Sequence, residues 1–522
     1  MTPSLHVAAR SLTASRAARL TSAVVLVAAT LLSAGVPFAD AEAQSRRRRV
    51  PAPPPAPTAT TPRSATALSA DLGEMLRRGT RSGDWGVMVT SVTRGDTLFA
   101  RDADVAMLPA STMKLFTAAV ALEQFGPNHR FSTDVLHDGA IREDGVIEGD
   151  LFLRGAGDPA LGPRFMSPRS PTASVDALAR IVADAGITHV RGNIVADATR
   201  FEARGVPDGW QTRYLNAGYA ARVSALSLNE NLVTIVVRPG GSLGSAVVEF
   251  EPATSGVAMT NRVRTVPGSG ASVSAFTHPD GRVEVRGSVG RNSAARRYML
   301  VVEDPARYTA GAFAEALRRA GVQVDGAVQA RATPVDAVRL GGLPSPPLHA
   351  LVSVMNRESV NIYAELLFRN AASAANTNSP GSAETGNVML QRFMADDVGV
   401  SANAVFAADG SGLSVNDRAT PRALVGLLGY AHSAPWSSAF HASLPVAGES
   451  ETLRARMRNT PAAGNLHAKT GTTNTVISLA GYVTAENGEI LAFAFVYNGT
   501  DRWNARATID AMGATLGGFA RG

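Results

Sequence analysis

The chain has 522 residues, 45% apolar and 18% charged, with a mean hydropathy of +0.03. These values exclude a wholly disordered chain, and a single long apolar stretch excludes a multi-span membrane protein. The absence of cysteine excludes a disulfide framework, a thiolate metal site and a cysteine nucleophile. The net charge is +6, but Arg46–Arg49 supply four of those charges. The body is therefore near neutral, which speaks against a nucleic-acid partner, since such a binder carries its basic surface on the folded domain.

Arg10, Arg16 and Arg19 precede the uncharged, 17-residue stretch Leu20–Val36, and A-x-A patterns follow at Ala39–Ala41 and Ala41–Ala43. This reads as a secretory signal peptide over residues 1–43. An uncleaved anchor is the alternative, because 20 uncharged residues from Leu20 to Ala39 suffice to span a bilayer. Either way the body is expected outside the cytoplasm, in the periplasm or cell envelope, and membrane-associated if the signal is retained. Residues 44–66, rich in Arg and Pro, read as a linker.

The folded body begins near Ala67. Trp85–Phe99 alternates around Arg94-Gly95-Asp96, a hairpin signal. Ser111–Phe125 carries an apolar stripe at helical spacing and stops at Gly126-Pro127. From about Phe131 the texture changes to short β-type runs, including 149–153, 232–237, 246–250 and 282–289, that alternate with turns and are mixed with helical pieces. Helices are expected again over 350–355, 360–370 and 387–396. Ile477–Val483 and Ile490–Val496 flank Asn487-Gly488 as a hairpin, and 504–516 reads as a terminal helix.

Lysine is normally common, yet this chain has 48 Arg and only two Lys, Lys114 and Lys469. Arg cannot lose its proton in a protein, whereas a buried Lys can and then serves as a base. Lys114 closes Ser111-Thr112-Met113-Lys114. Positions i and i+3 share a helix face, so the lysine reaches the serine hydroxyl. Lys469 opens Lys469-Thr470-Gly471-Thr472 on an expected edge strand, where Gly471 would let a substrate backbone approach closely. Ser359-Val360-Asn361 opens a helix; read alone, Ser359 is an N-cap.

Each pattern alone is weak. Together they resemble the signature of the penicillin-recognising serine acyl-enzymes, S-x-x-K, S-D-N and K-T-G, with Val360 where the full signature has Asp. The spacing, 248 residues from Ser111 to Ser359 and 110 from Ser359 to Lys469, leaves a long insert between the first two motifs. That is similar to the low-molecular-mass class C penicillin-binding proteins, the D-alanyl-D-alanine carboxypeptidase/endopeptidase family. The likeness extends to Arg154–Pro159, Asp208–Trp210, Val223–Asn231, Asp409–Ser414 and Leu444–Gly448.

The resemblance implies an α+β fold: a serine β-lactamase/transpeptidase-like catalytic domain, split over 67–130 and 347–522, with an antiparallel sheet flanked by helices. Residues 131–346 would form one or two inserted β-rich domains. It further implies that Ser111 is acylated, that Lys114 takes its proton, and that Ser359 with Lys469 passes a proton to the leaving amine. Asn361 would orient Lys114 and bind the substrate backbone. The N–H groups of Ser111 and Thr472 would form the oxyanion hole, and Thr470, Gly471 and Thr472 would line the substrate carboxylate. Repulsion between the two ammonium groups would keep Lys114 neutral while Lys469 stays charged. The implied partners are peptidoglycan stem peptides, with β-lactams as covalent inhibitors; neither metal nor cofactor is implied, and the oligomeric state is open. The rival readings are a fast-deacylating β-lactamase and a non-catalytic cell-wall or β-lactam sensor.

Other patterns point to structure. Gly240-Gly241-Ser242-Leu243-Gly244 matches a nucleophile elbow, but the segment after it reads as strand, where that motif needs a helix. Gly155-Ala156-Gly157 begins like a dinucleotide loop but lacks the third glycine and a helix. The nine His show no metal-ligand spacing. His467 shares a strand face with Lys469 and is a candidate substrate contact. Asp197 and Asp208 are weaker candidates for the amino group of a stem peptide.

Overall fold

A computed structural model describes residues 57–167 and 170–522. The signal peptide expected over 1–43 lies outside the described residues. Among the described residues no helix is long and apolar enough to cross a membrane.

The central element is a five-stranded antiparallel sheet. Its strands are β1 (Asp84–Ser91), β2 (Thr97–Arg101), β3 (His467–Thr472), β4 (Val476–Thr484) and β5 (Ile490–Asn498), in the spatial order β2-β1-β5-β4-β3. Both expected hairpins form, β1 with β2 and β4 with β5. Strand β3 is an edge: apart from a bridge between His467 and Val446 it pairs only with β4, so its rim from Lys469 onward is open to a ligand.

Period-2 alternation assigns the sheet's two faces. Along β5, Leu491, Phe493, Phe495 and Tyr497 face one core, shared with α1 (Ala65–Gly79) and the terminal helix α6 (Arg502–Gly517). The small residues Ala492 and Ala494, with Val496, face the other. There α2 (Met113–Phe125), α3 (Leu348–Arg357), α4 (Asn361–Ala375) and α5 (Pro421–Ser433) pack. Helices on both faces explain why β4 and β5 are apolar almost throughout.

The chain leaves this unit at Phe131 and returns at Ser345. These residues are joined by Ser345 N–H to the Phe131 carbonyl (2.7 Å) and Phe131 N–H to Ser345 Oγ (3.0 Å). The excursion contains a mixed five-stranded sheet, Val328–Ala330, Ile194–Asp197, Leu151–Arg154, Ser132–His137 and Val338–Pro344 in spatial order. Helices Ala173–Asp184 and Pro305–Arg319 share its core. Two further sheets, of three and four strands, enclose a separate small core. The insert is therefore less purely β than its sequence texture suggests.

The insert is not a free appendage. Phe131, Ala160, Phe201, Val223 and Ala225 belong to the same buried cluster as α2 and α4. The elbow-like Gly240–Gly244 falls between Leu232–Arg238 and Val247–Glu251, which pair antiparallel. It is a hairpin connection.

Candidate active site

The three sequence motifs converge where α2, α4 and β3 meet. Ala110–Thr112 forms a single 3-10 turn that runs into α2. Its first residue, Ala110, has φ 48°, in the left-handed region. The turn is held from the sheet, since the hydroxyls of Thr112 and Ser478 both donate to the Pro109 carbonyl at 2.7 Å. Ser111 sits on this strained turn, half-buried.

Lys114 is fully buried one turn deeper. Its Nζ lies 3.0 Å from Ser111 Oγ, 2.6 Å from Asn361 Oδ1 and 2.7 Å from the Ser411 carbonyl oxygen. The last two partners can only accept. A neutral amine has two N–H bonds and one lone pair. Those N–H bonds must serve Asn361 and Ser411, which leaves the lone pair aimed at the Ser111 hydroxyl. In its neutral form Lys114 is therefore oriented as an acceptor from Ser111; as an ammonium it donates to all three partners.

Burial lowers the Lys114 pKa to about 8, against the opposing pull of Asp409, Glu365 and Asp417. Lys469, also fully buried, is pushed well below the usual lysine range, first by burial and then by Lys114. Both amines are thus pushed toward their neutral forms, whereas the sequence led us to expect a charged Lys469. Mutual repulsion acts within the pair, so the two lysines titrate together.

Lys469 Nζ donates to Ser359 Oγ at 2.9 Å and to the Thr470 carbonyl at 2.9 Å. Ser359 is not an N-cap. Val360 holds that position without a side-chain bond, and Ser359 has φ 60°. A non-glycine residue there costs roughly 1–2 kcal/mol. Such strain persists only where the surroundings over-determine it, and here it turns the hydroxyl toward Lys469.

Gly471 also has a packing role. A Cβ at this position would lie 2.2 Å from Ser478 Oγ, 2.8 Å from the Pro109 carbonyl and 3.1 Å from Ala110 Cβ. The missing side chain lets β3 close on the turn that carries Ser111. Thr470 is half-buried and Thr472 exposed on the open rim.

The Asp409–Ser414 segment, part of the resemblance, is the loop that supplies Ser411; its backbone contact with Lys114 was not visible in the sequence. Asp409, fully buried, accepts from the backbone N–H groups of Ser411 (2.9 Å), Gly412 (2.6 Å) and Ser414 (2.8 Å), and from Trp210 Nε1 (2.7 Å). Gly412 passes so close that a Cβ would lie 1.9 Å from the Ala110 carbonyl oxygen. Asp417 Oδ1 accepts from the N–H groups of Ala408 and Asp409. Burial and the neighbouring Asp409 raise its pKa well above the usual carboxylate range, which favours the protonated form. Its Oδ2 can then donate to the Asp409 carboxylate.

Three insert residues reach this site. Trp210 holds Asp409. The Tyr219 carbonyl accepts from Asn361 Nδ2 at 2.8 Å. Arg164 pairs with Glu358, which precedes Ser359, and with Glu230, both at 2.8 Å. The two acidic candidates are otherwise engaged. Asp197 accepts from Thr199 and Thr333, and Asp208 pairs with Arg204. His467 packs against His441, the rings tilted with centroids 4.5 Å apart, which ties its ring to a neighbouring helix.

Comparison with known proteins agrees with this arrangement. Residues 68–517 match the D-Ala-D-Ala carboxypeptidase 3 (S13) family. A D-alanyl-D-alanine carboxypeptidase of Actinomadura sp. (strain R39) is 35% identical over 451 residues, 83% of this chain and 81% of that protein. The crystal structure of penicillin binding protein 4 from Haemophilus influenzae superposes with a TM-score of 0.70 at 23% identity, covering 85% of this chain and 98% of that one. A structure of the same protein complexed with a novel β-lactam gives a TM-score of 0.65 at 23% identity, over 82% and 93% of the two chains. A family match over most of the chain and a relative this similar leave one conclusion: the chain belongs to the D-Ala-D-Ala carboxypeptidase 3 (S13) family, the class C penicillin-binding proteins that its motifs resemble.

Proposed function

We propose that the chain is an exported serine D-Ala-D-Ala carboxypeptidase that trims peptidoglycan stem peptides through an acyl-enzyme on Ser111, and that β-lactams acylate the same hydroxyl. The observation that carries this reading is the three-way coordination of Lys114 Nζ, which leaves its lone pair for Ser111. The division into a catalytic unit, 67–130 with 347–522, and an insert, 131–346, is part of the proposal.

The substrate's terminal carboxylate binds on the open rim of β3, beside the Thr470 and Thr472 hydroxyls. There it faces Lys469, and an opposite charge favours the protonated form of a lysine. Substrate binding thus restores the charge that burial removes, and the recharged Lys469 drives Lys114 further toward its neutral form. Lys114 takes the Ser111 proton as Oγ attacks the carbonyl carbon between the two alanines. The N–H groups of Ser111 and Thr472 receive the developing oxyanion; one such donor is worth roughly 3–4 kcal/mol of barrier. As the C–N bond breaks, the leaving amine takes the Ser359 proton, which Lys469 replaces. Asn361 holds Lys114 through Oδ1, while Nδ2, with two hydrogens, serves Tyr219 and the substrate backbone. Water then hydrolyses the Ser111 ester.

The test is release of D-alanine from a peptide ending in D-Ala-D-Ala. Wild type should release it with turnover and Ser111→Ala should not. Release by Ser111→Ala at the wild-type rate would remove Ser111 from the mechanism.

A further inference from the structure

A second cavity lies at the opposite end of the catalytic helices. It has a volume of about 710 Å³ and opens between the insert and the C-terminal ends of α2 and α4. At 1.5 Å per helical residue it is about 20 Å from Ser111 along α2. One wall is aromatic: Phe125 stacks on His129 at 4.7 Å, and Phe131 meets both edge-on.

The other lining groups that matter are Arg130 and Arg200. Most arginines that face acids in this protein pair with them, but among the described residues neither of these forms an ion pair. Arg200 Nε donates to Asn370 Oδ1 at 2.7 Å, and Asn370 is itself fixed by donating to the Gly157 carbonyl at 2.9 Å. Asn370 is fully buried, so the Arg200 guanidinium is held from a rigid base. Arg130 Nη1 donates to the Ser345 carbonyl at 2.7 Å. Both guanidinium groups thus have further N–H donors beyond those bonds.

The nearby carboxylates cannot serve them. Asp134 accepts from Ser132, Arg154 and Arg339, and Asp197 accepts from Thr199 and Thr333. Across the lining, Arg130, Arg154 and Arg200 outnumber Asp134 and Asp197 by one, so the cavity carries a net positive charge. Burial and the Arg200 charge both push the His129 pKa down, a second sign of that field.

We propose that this cavity is a binding site for an oxyanion, a carboxylate or phosphate group, taken by the free N–H donors of Arg130 and Arg200 against the Phe125–His129–Phe131 wall. Guanidinium groups match the planar, bidentate geometry of such anions. The site is separate from the acylation centre and does not depend on how Ser111 reacts.

The test is calorimetric titration of the full chain, at low ionic strength, with inorganic phosphate and separately with citrate. Wild type should bind at least one of them saturably at one site, and the tighter probe identifies the oxyanion. Arg200→Gln and Arg130→Gln should each weaken that binding at least about tenfold, the effect of losing a charged hydrogen bond. Arg142→Gln should not, because Arg142 is already paired with Asp144 and Glu148. No saturable binding of either probe to wild type, or equal binding by wild type and Arg200→Gln, would overturn the proposal. If Arg200→Gln fails to fold by circular dichroism, the exposed Arg130 decides by the same criterion.

Discussion

The Ser411 carbonyl oxygen lies 2.7 Å from Lys114 Nζ and, with Asn361 Oδ1 on another side, fixes where the lysine's lone pair points. The loop behind Ser411 is tied to Asp409, and Asp409 to Trp210 of the insert. The orientation of the proposed base is thereby shared between the two halves of the catalytic unit and the segment between them.

Lys114 acts only when neutral, and burial sets its pKa at about 8. Acylation should therefore rise with pH, by about tenfold between pH 7 and pH 9, and level off above. Stopped-flow acylation by a chromogenic β-lactam measures this. A rate that is flat or falls over that range contradicts the assignment. Lys114→Arg should lose about 10²–10⁴-fold in rate, the usual share of general-base catalysis, because a guanidinium keeps its proton.

Asp417 is protonated in this account, so an amide should replace it. Asp417→Asn keeps an acceptor for the Ala408 and Asp409 N–H groups and a donor toward Asp409. Its stability should stay within about 0.5 kcal/mol of wild type. Asp417→Ala strands two buried N–H groups and should cost about 2–3 kcal/mol or more. Denaturant titration of both variants separates the outcomes; equal losses would mean that Asp417 is ionised.

Ser359 should show an inverted glycine–alanine order. Both Ser359→Gly and Ser359→Ala lose the hydroxyl that meets Lys469, and both should lose activity. At φ 60°, however, glycine relieves the strain that alanine retains, so the glycine variant should be the more stable by about 1 kcal/mol. Thermal melts of the pair check this, and a more stable alanine variant would argue against the strained backbone.

Gly471→Ala should separate β3 from the Ser111 turn. The added methyl must displace Ser478 or the Pro109–Ala110 backbone, at a cost of about 1–3 kcal/mol. Acylation should slow even at temperatures where the variant is folded. Wild-type acylation by Gly471→Ala would show that the close approach is not needed.

Much of this was legible in the sequence because the chemistry uses side chains. The two surviving lysines, the three motifs and their spacing named Ser111, Lys114, Ser359, Asn361 and Lys469, and the hairpins around Asn487-Gly488 and Arg94-Gly95-Asp96 placed the sheet. What was not legible depends on the backbone or on long-range contact. Ser411 contributes a carbonyl oxygen, which any residue could provide, so its identity carries no signal. Ser359 looks like a helix N-cap until its left-handed φ is known. The purpose of Gly471 follows from Pro109, 362 positions away. Trp210 belongs to the resembling segment Asp208–Trp210, but nothing local marks its partner Asp409.

The central claim is that Ser111 is an assembled, acylatable nucleophile. Intact mass of residues 67–522 after incubation with benzylpenicillin, beside Ser111→Ala, tests it most directly. The account predicts a stoichiometric adduct on wild type and none on Ser111→Ala, and the adduct's lifetime then separates a penicillin-binding protein from a β-lactamase. A folded wild type that gains no mass, or an equal adduct on Ser111→Ala, would contradict it.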